Sequence, residues 1–223
     1  MTKPRVKETN QGIQGELLVE TYDRFQRGMR DKGWIETKAI IQAGIDHGHA
    51  LELGQGPGYV GLEWLKLTHD THLTGLDISP DMAALAGRNA KEYRLTERAN
   101  YVLRTGERFP FEDASFDAAF TTGSLHEWEN PRNTFAELWR VLKPGGMLFI
   151  SDLRRDMSPF IKGFLWLGAS PQEIRAGLVT SINAAYCVAE LEELTRGTPL
   201  QGSRITGDPF GLTLIATKPG TPT

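Results

Sequence analysis

The chain has one cysteine, Cys187, in 223 residues, so no intrachain disulfide can form and no thiolate cluster can hold a metal within one copy. It has no apolar run near the roughly 20 residues that cross a bilayer. Met1 to Gly15 is polar and lacks the apolar core of a secretory signal. An excess of one charge is missing as well. Twenty-five Lys and Arg against 28 Asp and Glu leave a formal net charge of -3, which offers nucleic acid no broad attraction. These absences exclude a disulfide scaffold and a membrane-spanning chain, and leave the cytoplasm as the default compartment. The composition, 39% hydrophobic and 24% charged, is that of a globular domain, and a chain of this length buries roughly 70% of its potential surface around one core.

What is present is glycine concentrated in one place. Ala50-Leu51-Glu52-Leu53 is a short apolar strand ending at Gly54-Gln55-Gly56-Pro57-Gly58, and Tyr59 to Leu67 has helical periodicity. A strand, a tight turn and a helix N-terminus in that order let a ligand approach the backbone with no Cβ in the way and meet free N–H groups. A second acid, Asp77, ends the next strand-like run, Leu73 to Asp77, about 20 residues after the glycines, where a ribose diol is gripped. Nicotinamide dinucleotides, flavins and S-adenosyl-L-methionine (SAM) all answer this description. The spacing is Gly-x-Gly-x-Gly, with Tyr59 where a dinucleotide fingerprint has its third glycine. Glu52 adds a negative charge that repels a pyrophosphate and not a cation.

Taken in order, the chain predicts helices at 16–29 and 34–43, with Tyr22 and Phe25 either packed in the core or covering a pocket. His47 and His49 lie in a loop and have no partners that complete a metal site; His69 and His72 read the same way. Ser79-Pro80 opens a helix to Tyr93, and Met82 lies early in it. After the helix at 80–93, strands follow at 101–104, 116–122 and 147–151, with a helix at 131–142 between the last two. This alternation predicts an α/β fold, a doubly wound and mostly parallel sheet with ligands beyond the strand C-termini. After Asp152 the pattern changes to an apolar-aromatic segment, Phe160 to Leu167, two helix candidates at 171–185 and 188–195, and a closing hairpin-like pair at 207–217.

The sequence resembles the class I SAM-dependent methyltransferases, especially the methyltransferase type 11 group that includes ubiquinone/menaquinone-type enzymes. The resemblance runs from about Tyr22 to Leu153. It rests on Leu51 to Gly58, Gly75-Leu76-Asp77-Ile78-Ser79 with Met82, Phe109-Pro110-Phe111 through Ser115-Phe116-Asp117, Ser124-Leu125-His126, and Glu137 through Gly146. It implies a seven-stranded, mostly parallel Rossmann-like sheet whose last strand is antiparallel. It divides the chain into a helical cap over 1–45 and a SAM-binding core over 46–223, with a substrate-cover insertion at 153–203. By the same resemblance Glu52 and Gly54 meet the methionine part of SAM, Gln55, Gly56 and Gly58 belong to the loop beneath it, and Asp77 takes the ribose hydroxyls. Ile78 and Met82 flank the adenine, and Thr122, Gly123 and Ser124 lie beside the transferable methyl. Many relatives carry an acid after the third strand for the adenine amino group. Here Thr105 stands at that position, so the contact falls to Thr105 itself or to Glu107, with Gly106 allowing its approach.

Direct methyl transfer needs an in-line nucleophile and no covalent enzyme intermediate, which leaves Cys187 as a packed thiol. His126, with its near-neutral reference pKa, and Glu127 are the candidate bases; a supporting role for His126 in its loop stays open. Tyr22, Phe25, Trp128, Arg154, Phe164 and Tyr186 are the candidate acceptor contacts, and Arg154 is equally readable as half of a salt bridge. The expectation is a cytoplasmic monomer or homodimer that methylates a small molecule, yields S-adenosyl-L-homocysteine and uses no metal. Methylation of RNA or protein, and a non-catalytic SAM-binding partner, are the alternatives.

Overall fold

The computed structural model describes residues 4–7, 15–104 and 106–220. It contains helices α1 (Glu16–Asp31) and α2 (Thr37–Gln42), then β1 (His49–Leu53), α3 (Tyr59–Leu67), β2 (His72–Asp77), α4 (Pro80–Tyr93), β3 (Ala99–Leu103) and β4 (Phe116–Thr122). A 3-10 turn (Leu125–Glu127) leads to α5 (Pro131–Val141) and β5 (Leu142–Leu153). Helices α6 (Pro159–Gly168), α7 (Ile174–Ala184) and α8 (Val188–Thr195) precede β6 (Arg204–Gly207) and β7 (Gly211–Thr217). Among the described residues no helix is long and apolar enough to cross a membrane.

The strands form one seven-stranded sheet in the order β3-β2-β1-β4-β5-β7-β6. β1 to β5 pair in parallel, and β7 runs antiparallel to both β5 and β6. This is the doubly wound sheet with an antiparallel last strand that the sequence predicts. β1 lies inside the sheet between β2 and β4, and Ala50 to Leu53 are buried, as an interior parallel strand requires. On one face Leu51, Phe116, Leu138 and Leu191 meet the helices α5 and α8; on the other Ala50, Phe120, Ile40 and Trp64 meet α2 and α3. The Trp64 indole N–H donates to the Ile45 carbonyl at 2.7 Å, so the largest core side chain is buried with its polar atom satisfied.

Helix starts follow the capping residues in the sequence. The Ser79 hydroxyl accepts from the Met82 N–H at the head of α4, and Asn130 Oδ1 accepts from the Asn133 N–H at the head of α5; each helix has proline in its first turn. Several boundaries differ from expectation; β3 begins at Ala99 rather than 101, and α7 at Ile174 rather than 171. β5 begins at Leu142 and carries Lys143-Pro144-Gly145-Gly146 within its span, because Leu142 pairs with Phe116 before a register shift. β6 begins at Arg204, three residues ahead of the expected start. α2 is shorter than 34–43 because Trp34 lies outside it, exposed and under the Lys32 ammonium at 4.7 Å from the ring.

The stretch 153–203 is not uniform. α6 buries none of its residues, whereas Leu191 of α8 and Leu200 are fully buried in the main core. Likewise Ile40 and Ile45, within the expected N-terminal cap, belong to the core on the α3 side of the sheet.

Candidate active site

The C-terminal ends of β1, β2 and β4 meet at the glycine loop. Gly54 has φ +68°, and a Cβ there would lie 2.9 Å from the Ser124 Cβ, so a left-handed backbone and close packing both demand glycine. Its N–H donates to the Leu76 carbonyl at 2.8 Å. Gly56, φ +50°, lies under the Tyr22 ring of α1, and a Cβ there would sit 3.5 Å from it. The Gly56 N–H donates to Asp77 Oδ2 at 3.1 Å, and Ser79 N–H donates to Asp77 Oδ1 at 2.9 Å. Burial pushes the Asp77 carboxyl above its ordinary pKa, opposed by these N–H donors.

In front of this loop is a cavity of about 400 Å³, within the range of roughly 300–1,000 Å³ of small-molecule sites. Its wall takes Gly54 and Gly56 from the loop, Asp77, Ile78 and Met82 from the β2–α4 junction, and Gly106 and Glu107 from the loop after β3. Thr122, Gly123, Ser124, Glu127 and Trp128 come from the β4 end, and Tyr22 comes from α1. All of these were expected from the sequence. Thr105 lies outside the described residues. Arg104, Glu129, Asn130, Asn133 and Thr134 also line the cavity and were not anticipated. The Asn130-Pro131 helix start was the available signal, since it aims the first turn of α5 at the strand ends.

Several expected residues lie elsewhere. Glu52, Gln55 and Gly58 are buried beneath the loop rather than on the wall. Glu52 points back toward Gly61 of α3, where its Oε2 is buried with no hydrogen-bond partner among the described residues, and burial pushes its pKa up to about 8. A Cβ on Gly58 would approach the Tyr101 hydroxyl to 3.0 Å, so this glycine is required by packing underneath. His126 is 4% exposed and is absent from the cavity wall. Its Nδ1 lies 2.9 Å from Asp152 Oδ1, and its backbone N–H donates to Asp152 Oδ2 at 2.7 Å. The Arg5 guanidinium donates to the His126 carbonyl at 2.7 Å and lies 4.2 Å from the Tyr186 ring. Tyr186 therefore packs against the N-terminal segment. Arg154 makes a double ion pair with Asp156, at 2.7 and 2.8 Å, and donates to the Asp208 carbonyl at 3.0 Å. Phe164 is exposed on α6 with its ring 6.2 Å from Phe210, and Phe25 faces a separate cleft.

The charges on the wall decide between the candidate ligands. Asp77, Glu107, Glu127 and Glu129 line the cavity, and Arg104, the guanidinium there, is turned toward the Gly106 and Glu107 carbonyls at 2.8 and 3.4 Å. Such a wall opposes a pyrophosphate and suits a nucleoside carrying positive charge. Ile78 and Met82 supply apolar flanks beside the carboxylate that suits a diol. The residues present fit SAM better than a dinucleotide. Among the described residues no three His, Cys, Asp or Glu side chains converge in a metal-holding group. His47 is exposed beside Asp46, and His49 Nε2 is 2.9 Å from the Thr74 hydroxyl.

Residues 51–150 match the sequence model of a family described as a methyltransferase domain. The chain is similar to the uncharacterized methyltransferase YdaC of Bacillus subtilis, 33% identical over 123 residues, which are 54% of this chain and 66% of that protein. It is also similar to a demethylmenaquinone methyltransferase of Roseiflexus castenholzii, 29% identical over 138 residues, 61% of this chain and 56% of that one. The matched stretches thus span about two thirds or less of these relatives. Among solved structures, a SAM-dependent methyltransferase from Aquifex aeolicus superposes with TM-score 0.63 at 19% identity, covering 81% of this chain and 87% of that one. The [4+2]-cyclase SpnF superposes with TM-score 0.59 at 19% identity, covering 83% and 81%. These structural likenesses show the fold, and the cyclase shows that the fold by itself does not name the reaction.

Proposed function

We propose that this chain, which belongs to the class I SAM-dependent methyltransferases, transfers a methyl group from SAM to a small-molecule acceptor by direct in-line displacement. The observation that carries the reading is the Asp77–Gly56 junction: a carboxylate at the end of β2 anchors the glycine loop and faces the cavity. Bound SAM supplies a methyl on a sulfonium, a leaving group that needs no metal. The chain's part is to hold and dry the two reactants. Asp77 grips the ribose, Ile78 and Met82 enclose the adenine, and Glu107 with Gly106 borders the adenine edge. Thr122, Gly123 and Ser124 form the floor on which methyl and acceptor meet.

Tyr22 and Glu127 frame the acceptor side. Both line the cavity, and burial, with the Glu127 charge second, holds the Tyr22 phenol protonated above its ordinary pKa. Glu127 lines the cavity beside Thr122, Gly123 and Ser124, and on that placement it is the carboxylate assigned to take an acceptor proton. His126 acts through position, fixing the β4 loop to Asp152 at the end of β5. The single cysteine and modest charge suit a cytoplasmic monomer or homodimer.

Calorimetry with the purified chain tests the donor: SAM and S-adenosyl-L-homocysteine bind, and no heat at millimolar SAM sinks the reading. Methyl-labelled SAM incubated with a metabolite extract tests the transfer, the labelled products being identified by mass. Donor binding without any labelled product points instead to a non-catalytic SAM-binding protein.

A further inference from the structure

A second cavity, of about 430 Å³, lies between α1 and the turn that joins α6 to α7. From the α1 side it takes Arg24, Phe25, Met29 and Lys32, and from the other side Gly168 and Pro171. Arg24, Gly28 and Lys32 recur at i, i+4 and i+8, and Phe25 and Met29 at i and i+4 beside them. Two cations, spaced by Gly28, therefore stand alongside a row of apolar side chains. Among the described residues no carboxylate lines the cleft.

The two cations stand apart from others on the same helix. Arg27 pairs with Asp23 and Glu92, and Arg30 pairs with Asp31. Arg24 has one long contact, 3.5 Å to the Thr21 hydroxyl, and the Lys32 ammonium lies over the Trp34 ring. Among the described residues neither makes an ion pair with a carboxylate of this chain. The apolar side extends past Gly168, where Leu167 and Phe164 of α6 are exposed.

The cleft is also next to the methyl-transfer cavity. Tyr22 lines the first cavity and Phe25 the second, and their ring centroids are 6.0 Å apart on one face of α1. The first cavity is walled by carboxylates and the second by an arginine and a lysine. A molecule reaching from one to the other past Tyr22 and Phe25 meets an acidic site at one end and a basic one at the other.

We propose that this cleft holds the anionic end of the methyl acceptor, so that the acceptor is an amphiphile with an apolar body ending in a carboxylate or phosphate. The identity of the ligand as acceptor rests on the methyl-transfer reading above; the existence of the anion site does not. Arg24 and Lys32 bind the head, and Phe25 and Met29 pack along the body.

The probes are octanoate, octyl phosphate, octanol and octylamine, titrated calorimetrically into the full chain with S-adenosyl-L-homocysteine present. The two anions bind about tenfold or more tighter than the alcohol or the amine. The Arg24→Gln/Lys32→Gln variant loses that preference while its affinity for S-adenosyl-L-homocysteine stays unchanged. Phe25→Ala weakens anion and alcohol together. Equal binding of octanoate and octanol, or anion binding indifferent to the double variant, overturns the site. Sedimentation with phosphatidylglycerol vesicles separates the sources of an anion. A chain that pellets with vesicles and ignores monomeric octanoate has a lipid-docking face there, which also overturns the proposal. In the labelled-extract assay the product is retained on an anion exchanger, and a neutral or cationic product overturns the acceptor assignment. Octanoate binding that depends on Arg24 and Lys32, with no labelled product at all, counts against methyl transfer and leaves the anion site standing.

Discussion

Asp77 Oδ2 accepts the Gly56 N–H at 3.1 Å, so one carboxylate both anchors the glycine loop and faces the candidate donor cavity. Asp77→Ala removes the loop anchor and the diol acceptor together. SAM affinity is expected to fall at least about tenfold, roughly 1.4 kcal/mol. Asp77→Asn keeps an acceptor for the N–H without the charge and falls between the two in the same titration. Equal affinities for wild type and Asp77→Ala would remove Asp77 from the donor site.

Gly54→Ala is expected to be worse than its size suggests. The new Cβ meets Ser124 at 2.9 Å from a backbone with φ +68°, and such strain costs about 1–3 kcal/mol. Because Ser124 lines the cavity, relief of the clash moves the floor of the site. Denaturation midpoint and SAM affinity should both drop; Gly106→Ala, which meets nothing within 4 Å, should leave the midpoint unchanged.

The Asp152 carboxylate accepts from the His126 N–H, the His126 ring and the Leu153 N–H. Asp152→Ala leaves these buried donors unmatched, with an expected loss of about 2–4 kcal/mol in denaturant unfolding. His126→Asn retains a side-chain N–H directed at Asp152 and is expected to keep the pH profile of methyl transfer. If its rate loses dependence on the ionisation of a group near neutral pH while the fold stays stable, His126 is the base and Glu127 is not.

Glu52 makes stability depend on pH. Burial lifts its pKa to about 8, against about 4.3 in an unfolded chain. The folded state then holds a proton that the unfolded state has released. Its contribution is complete below the unfolded value, is lost progressively as pH rises toward 8, and levels off above it. Glu36, with a pKa raised by burial to about 7, acts in the same direction, so the comparison must be made against Glu52→Gln. That variant should become more stable relative to wild type as pH goes from 5.5 to 8.5; a constant difference contradicts the assignment.

The sheet was readable because its signals are local. The Glu52-to-Gly58 turn, Ser79-Pro80 and Asn130-Pro131 each state their geometry within a few residues, and α3, α4 and α8 begin and end where periodicity and caps place them. The wall of the cavity was readable for the same reason, since it is assembled from loops at one sheet edge. What escaped depended on partners distant in sequence. Arg154 was equally readable as an acceptor contact or half of a salt bridge, and only Asp156 and the Asp208 carbonyl, seen in the fold, decide for the second. His126 was readable as a base or as a support for its loop, and Asp152, 26 positions on, is what draws it inward. Glu52 sits beside the glycines in sequence, yet strand alternation turns it toward Gly61 and away from the cavity.

The strand order has a further consequence for how the chain is made. β6 pairs with β7 and not with β5, although it is synthesised before β7. On a ribosome, Arg204–Gly207 emerges with no neighbour to join, and the open flank of β5 stays exposed until Gly211–Thr217 slides between them. That half of the sheet can close only once Gly211–Thr217 has emerged, which makes it a late, aggregation-exposed step of biogenesis.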